Sequence, residues 1–152
     1  MNGRMQDKVV VITGGASGIG AGMVRRFCAE GARVVLADVD EVAGLAVSRE
    51  CGARFVALDV SSEAGWQALA QTLRSEYGRL DALLNNAGIV SNQSIVDADV
   101  ATWNRLLAVN LTGMMLGCQT AITLMRDNPE ASGGAIVNTA SSTSYLAIPS
   151  DV

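Results

Sequence analysis

Apolar residues in this chain fall into short unbroken runs, separated by stretches whose apolar positions recur every three or four residues. Val9-Val10-Val11-Ile12 and Val34-Val35-Leu36-Ala37 are the clearest runs. Such runs, closed by Gly or Asp, predict strands covered on both faces. The pattern places strands at Lys8–Thr13, Arg33–Asp38, Arg54–Asp59, Asp81–Asn85 and Gly134–Ala140. Helices are predicted between them, at Gly18–Glu30, at Glu41–Cys51, from a cap at Ser61 or Ser62 to about Tyr77, and from about Asp97 to Arg126. Ile19, Met23 and Phe27 repeat every four residues, the spacing of one helix face. Gly31, Gly52 and Gly78 stand where left-handed caps close helices. Strands alternating with helices predict an α/β fold, a doubly wound parallel sheet. No linker or low-complexity tract divides residues 1–152, which read as one domain.

The last helix is apolar on more than one side. Trp103, Leu107, Asn110, Met114 and Cys118 form one stripe, and Leu106, Val109, Gly113, Leu116 and Thr120 another. A helix lying on a sheet needs a single stripe. The second is expected to meet either another helix of the chain or another subunit.

Composition narrows the partners. Of 152 residues, 49% are hydrophobic and 17% charged, which describes a globular chain. The formal charge is −4 and the basic residues are scattered, so neither nucleic acid nor an anionic membrane is an expected partner. No apolar run approaches the ~20 residues of a membrane span, and the N-terminal MNGRMQDK is polar. The three cysteines, Cys28, Cys51 and Cys118, have no CxxC spacing and read as buried free thiols, fitting a cytoplasmic, reducing setting. There is no histidine, which excludes imidazole base chemistry and histidine metal ligation; no metal is expected.

The candidate chemistry begins at Thr13–Gly20, TGGASGIG, directly after the first strand. A strand feeding a glycine turn that opens a helix aims backbone N–H groups and the positive helix end at open space, a site for a pyrophosphate. Gly14, Gly18 and Gly20 supply room for close approach. A strand–helix turn without a ligand can show the same pattern. Asp38 strengthens the ligand reading: it ends the second strand about 20 residues on, where a dinucleotide fold sets a carboxylate on the ribose hydroxyls.

TGGASGIG, Asp38, Asp59, the tetrapeptide Asn85-Asn86-Ala87-Gly88, Val109-Asn110 and Ser141-Ser142 occur in that order. Together they resemble the short-chain dehydrogenase/reductase family, across essentially the whole chain. The resemblance implies a Rossmann-like sheet and roles for matching residues. Ser17, Gly18 and Ile19 would contact the pyrophosphate, and Asp38, followed by Val39, the adenosine ribose. Asp59 and Val60 would flank adenine, though Asp59 is also a plausible turn or cap acid. Asn86, Ala87 and Gly88 would line the cofactor trench, with Val109 beside it. Asn85 is expected to tie neighbouring strands together and is not taken as a ligand. Asn110 would hold a water of the proton path, or else bridge the helix to the sheet. Ser142, with Ser141 as runner-up, would polarise the substrate oxygen of an alcohol or carbonyl, or else is an ordinary strand-end serine.

Asp38 favours NAD over NADP. Its carboxylate repels a 2′-phosphate, and Ala16, Ser17 and Val39 offer no cation to neutralise one. The family's proton machinery also uses a Tyr-x-x-x-Lys pair. Here the tyrosines are Tyr77 and Tyr145, neither followed by lysine four residues on, and the lysine is Lys8. Tyr145 reads as a loop residue. The chain therefore looks like the first five strands of an NAD-dependent enzyme cut before its catalytic helix, expected to be inactive alone and to associate as a homo-oligomer. The alternatives are a non-catalytic nucleotide-binding or interaction module, or a remnant without activity.

Overall fold

A computed structural model of the chain describes residues 3–91, 93–94, 96–129 and 132–141. Five strands form one parallel sheet: β1 (Val9–Thr13), β2 (Arg33–Asp38), β3 (Arg54–Ala57), β4 (Ala82–Asn85) and β5 (Ala135–Asn138). The helices are α1 (Gly18–Ala29), α2 (Glu41–Cys51), α3 (Glu63–Glu76), α4 (Val100–Leu107) and α5 (Gly113–Arg126). A π-helical turn, Ala108–Thr112, joins the last two into one rod.

The spatial order is β3-β2-β1-β4-β5. The chain runs outward from β1 in one direction, returns, and continues through β4 in the other. Crossovers leaving β1 and β4 part company, which opens a crevice at the carboxyl ends of those strands. Alternation along the buried strands splits the core into two layers. Val10, Ile12, Val34 and Leu36 pack with Val24 of α1 and Val47 of α2. Val9, Val11, Val35 and Leu83 pack on the other face with Trp66, Leu69 and Leu73 of α3 and with Val109, Ala121 and Leu124 of the rod. The sheet is thus doubly wound, as the continuous apolar runs require.

Element ends shift for identifiable reasons. β3 stops at Ala57 because the Asp59 carboxylate accepts the Ser61 N–H at 2.9 Å and bends the chain there. The last helix starts at Val100, where Asp99 accepts the Thr102 N–H at 2.7 Å, rather than near Asp97. Of the two stripes on that rod, the one through Val109 and Gly113 faces the sheet; Trp103, Leu107 and Asn110 are exposed. The expectation that no apolar run approaches the length of a membrane span concerns unbroken runs; the rod as a whole is a different matter. Val100–Arg126 has 27 residues at a mean hydropathy of 1.3, enough by length and composition. It reaches that mean with Asn, Thr, Gln and Gly interspersed, so no unbroken apolar run announced it, and its buried face lies on the sheet. Tyr77, at the end of α3, sits under the Arg33 guanidinium, 4.5 Å from the ring centre. Ser142 and Tyr145 lie outside the described residues.

Candidate functional site

The crevice between the β1 and β4 ends is a cleft of about 400 Å³. One wall is the turn from β1 into α1. Gly14 has φ +65°, and a Cβ there would come within 2.8 Å of the Ala87 Cα. A Cβ on Gly20 would come within 1.9 Å of the Gly14 carbonyl oxygen. These two glycines let the turn, the helix and the β4 end meet. Gly18, at φ +50°, faces open space. Side chains cap α2, α3 and α4, from Asp40, Ser62 and Asp99. Ser17 makes no such bond to α1, and the first turn of α1 holds no acid. The helix end facing the cleft keeps its first N–H groups and partial positive charge for something else.

The wall from the β2 end is Asp38 and Val39. Both oxygens of Asp38 are held by backbone: Oδ2 accepts the Ala16 N–H at 2.9 Å and Oδ1 the Asp40 N–H at 3.0 Å. A carboxylate oxygen accepts more than one bond, so each keeps acceptor capacity toward the cleft. The β3 end brings Asp59 and Val60. Asp59 Oδ1 accepts the Ser61 hydroxyl at 2.6 Å and the Ser61 N–H at 2.9 Å; Oδ2 stands 3.9 Å from Arg105 Nη1. The Ser61 hydroxyl and N–H, with help from Arg105, hold the Asp59 carboxyl below the usual carboxylate range, against the opposing effect of burial. Asp59 is therefore a turn acid by one oxygen and a cleft residue by the other.

The floor is the β4 end. Thr13 Oγ1 accepts the N–H groups of Asn86 (3.0 Å) and Ala87 (3.1 Å) and donates to the Leu84 carbonyl at 3.3 Å. Asn86 Nδ2 returns the bond to the Thr13 carbonyl at 3.1 Å. This reciprocal lock fixes the cleft's floor and leaves Asn86, Ala87 and Gly88 lining it. Asn85 is buried; its Nδ2 donates to Asn138 Oδ1 of β5 (2.9 Å) and to the Met114 carbonyl (3.2 Å). It ties β4 to its neighbour β5, as the sequence reading expects, and ties the sheet to the rod as well. Asn110 lies in the π turn and pairs with one backbone unit: Oδ1 accepts the Ile89 N–H at 2.9 Å and Nδ2 donates to the Ile89 carbonyl at 2.8 Å. It bridges the rod to the loop after β4 rather than to the sheet itself.

Gly14, Ser17, Gly18, Ile19, Gly20, Asp38, Val39, Asp59, Val60, Asn86, Ala87, Gly88 and Val109 all line this one cleft. Asn110 stands one residue beyond it. Sequence reasoning assigned no part to Thr13, Leu58, Ile89 or Arg105. A signal existed for two of them. Thr13 is a polar residue closing an apolar strand, and Arg105 lies one helical turn before Val109.

A sequence model of the short chain dehydrogenase family matches residues 8–151. The chain is 39% identical over 150 residues to a 3-beta-hydroxysteroid dehydrogenase of Comamonas testosteroni, covering 97% of this chain and 58% of that protein. It is 43% identical over 143 residues to a 3-alpha-(or 20-beta)-hydroxysteroid dehydrogenase of Mycobacterium tuberculosis, covering 93% and 54%. It is 36% identical over 153 aligned positions to an NADP-dependent (R)-specific alcohol dehydrogenase of Lentilactobacillus kefiri, covering 98% and 60%. The chain spans a little over half the length of these relatives.

Proposed function

The chain belongs to the short-chain dehydrogenase family, and from that premise we propose that it is the nucleotide-binding part of an NAD-dependent oxidoreductase interconverting an alcohol and a carbonyl. The observation that carries the cofactor assignment is Asp38, held by two backbone N–H groups at the cleft wall with acceptor capacity left over. A pair of vicinal ribose hydroxyls satisfies that capacity, and a 2′-phosphate opposes it. The glycine cradle fits the pyrophosphate: Gly18 leaves open space, and α1 presents uncapped N–H groups and a positive end. Val60 and Val109 offer apolar surface for adenine, and Asp59 Oδ2 an acceptor for its amino group. NAD would supply the hydride acceptor or donor.

In this reading the chain's own groups bind and orient. Asn110 braces Ile89 and so holds the loop after β4 at the cleft mouth. Ser142 would polarise the substrate oxygen. The 152 residues contain no Tyr-x-x-x-Lys pair, so they are expected to bind cofactor without turning over an alcohol. A positioned general acid–base group is worth about 10²–10⁴-fold. The hydroxysteroid and alcohol dehydrogenase relatives support a secondary alcohol as the substrate class of the complete enzyme. The free cysteines support a reducing, cytoplasmic setting. The test is a fluorescence titration with NADH, joined to a turnover assay with NAD and a panel of secondary alcohols. Saturable NADH binding without turnover is the expected result. Failure to bind NADH at millimolar concentration would refute the reading.

A further inference from the structure

Asp59 and Arg105 meet where the β3 end and the rod converge on the cleft. The Asp59 carboxylate is held by one oxygen: Oδ1 takes both bonds from Ser61, the hydroxyl at 2.6 Å and the N–H at 2.9 Å. Among the described residues nothing donates a hydrogen bond to Oδ2; the cation facing it is Arg105, whose Nη1 stands 3.9 Å away. That is an ion-pair distance and too long for a hydrogen bond. Oδ2 therefore has a positive charge beside it and its acceptor capacity intact. Among the described residues lining the cleft, Arg105 is the one cation, and it stands one turn of the rod before Val109, on the same side. The two side chains are 59% and 40% exposed, so the pair adds little to stability. What such a pair does is choose a direction. A carboxylate anchored through Oδ1 alone can turn about its last bond and carry Oδ2 toward bulk water, and the guanidinium on the opposing wall draws it back to the cleft.

We propose that Arg105 is a positioning residue for the adenine end of the cofactor. Its guanidinium keeps Asp59 Oδ2 turned into the cleft, where that oxygen accepts from the adenine amino group, and so sets a preference for an amino-bearing purine. The proposal rests on the reading of the cleft as the NAD site. Hypoxanthine carries a carbonyl oxygen where adenine carries its amino group. That oxygen can only accept, so it finds no donor in Oδ2 and is repelled by its charge. The preference between the two purines thus measures how firmly Oδ2 faces the base. The phosphates, riboses and nicotinamide are the same in both dinucleotides, so any general attraction of Arg105 for an anionic ligand cancels in the ratio of affinities.

The experiment is a fluorescence titration of the chain with NADH and with reduced nicotinamide hypoxanthine dinucleotide, with a melting curve for each variant. The wild type is expected to prefer NADH by about tenfold or more, the worth of a bond to a charged acceptor. Arg105→Met should lower that ratio about twofold to fivefold, the range of an exposed ion pair. Arg105→Lys, which keeps the charge, should retain most of it. In an Asp59→Ala background, where the acceptor is gone, Arg105→Met should change the ratio no further. A second measurement needs no variant: the wild-type ratio should fall between about 0.05 M and 1 M salt as the exposed pair is screened. An unchanged ratio in Arg105→Met, even with both affinities reduced alike, or a salt-independent wild-type ratio would overturn the proposal and leave the NAD reading standing. A further fall on Arg105→Met in the Asp59→Ala background would overturn it too, by showing that Arg105 touches the base itself. A wild type that binds both dinucleotides equally would refute the adenine contact of Asp59 and the role of Arg105 with it, and one that binds neither would refute the NAD reading as well.

Discussion

Replacing Asp38 by alanine tests the cofactor argument at the residue that carries it. In NAD the adenosine ribose offers a hydroxyl to the Asp38 carboxylate, a bond to a charged acceptor worth about 1.5–3 kcal/mol net. In NADP that hydroxyl is a phosphate. Two unit charges about 4 Å apart repel by about 1 kcal/mol in bulk water and about 4 kcal/mol at the effective dielectric of a protein surface. Asp38 is half-buried and fixed by the Ala16 and Asp40 N–H groups, so it cannot swing away without leaving both unpaired. NADH should therefore bind the wild-type chain more tightly than NADPH by at least about 2 kcal/mol, roughly 30-fold. Asp38→Ala removes both the bond and the repulsion. NADH affinity should fall about ten-fold or more, NADPH affinity should hold or rise, and the ratio should approach one. Calorimetric titration of both nucleotides at one fixed salt concentration reads this directly, and a melting curve of the variant separates loss of binding from loss of fold. Equal or tighter NADPH binding by the wild type, or an equal loss for both nucleotides in the variant, would refute the placement of Asp38 at the ribose.

Gly20→Ala sets a Cβ where the Gly14 carbonyl stands, 1.9 Å away, so the turn must move; it should cost about 1–3 kcal/mol of stability and weaken NADH binding, both read by melting with and without nucleotide. Asp81 gives a pH signature. Burial opposes its charge, but Arg79, the Val9 N–H and Lys8 outweigh it, and the carboxyl lies below its usual value. The folded chain then binds the proton less readily than the unfolded one, so this contribution is complete above about pH 4 and drains away as pH falls through and below the unfolded value. Urea midpoints against pH should show that acid slope, flattened in Asp81→Asn. The outer face of the rod exposes Trp103 (54%), Leu111 (63%) and Met115 (45%), beside a β5 whose Val137 is 55% exposed. Sedimentation should show concentration-dependent association that Leu111→Glu weakens; a monomer at all concentrations would count against it.

What could be read beforehand follows from where the information is local. The core runs, the glycine caps at Gly31, Gly52 and Gly78, and the Ser62 cap are decided within a few residues, and all appear as expected. Strand order was not legible in the same way, since several parallel orders bury the same runs; the order emerges only when β4 pairs with β1. The cleft was legible because its walls are strand ends, marked by Gly14 after β1, by Asp38 at the end of β2, by Asp59 after β3 and by Asn85-Asn86-Ala87-Gly88 at the end of β4. Arg105 was not, because its role comes from the rod crossing the β3 end and bringing it 3.9 Å from Asp59, a meeting across 46 positions of chain.

The π turn explains how one rod serves both the sheet and the cleft. The positions the rod turns to the cleft and the sheet are Arg105, exposed at the cleft, and the buried Val109, Gly113, Gly117 and Ala121, a run of steps of four. In a regular α-helix each such step overshoots a full turn by about 40°, so the run would rotate by about 160° and carry one end off the sheet. An extra residue accommodated in a wider turn takes back about 100° of that rotation. Ala108–Thr112 is such a turn, placed midway along the run. Downstream, a Cβ on Gly117 would lie 2.4 Å from Asn85 Oδ1, so the rod is seated hard against β4. Upstream, Val109 and Arg105 reach the cleft. Between them Asn110 spends its side chain on Ile89, tying the loop that follows β4 to the point where the rod changes pitch. Of the two apolar stripes that the sequence displays, the one through Val109 and Gly113 is the seam on the sheet, while the other is exposed at Trp103 and Leu107 and reaches Asn85 and Asn138 by Cys118; the face left for a neighbour runs through Trp103, Leu111 and Met115.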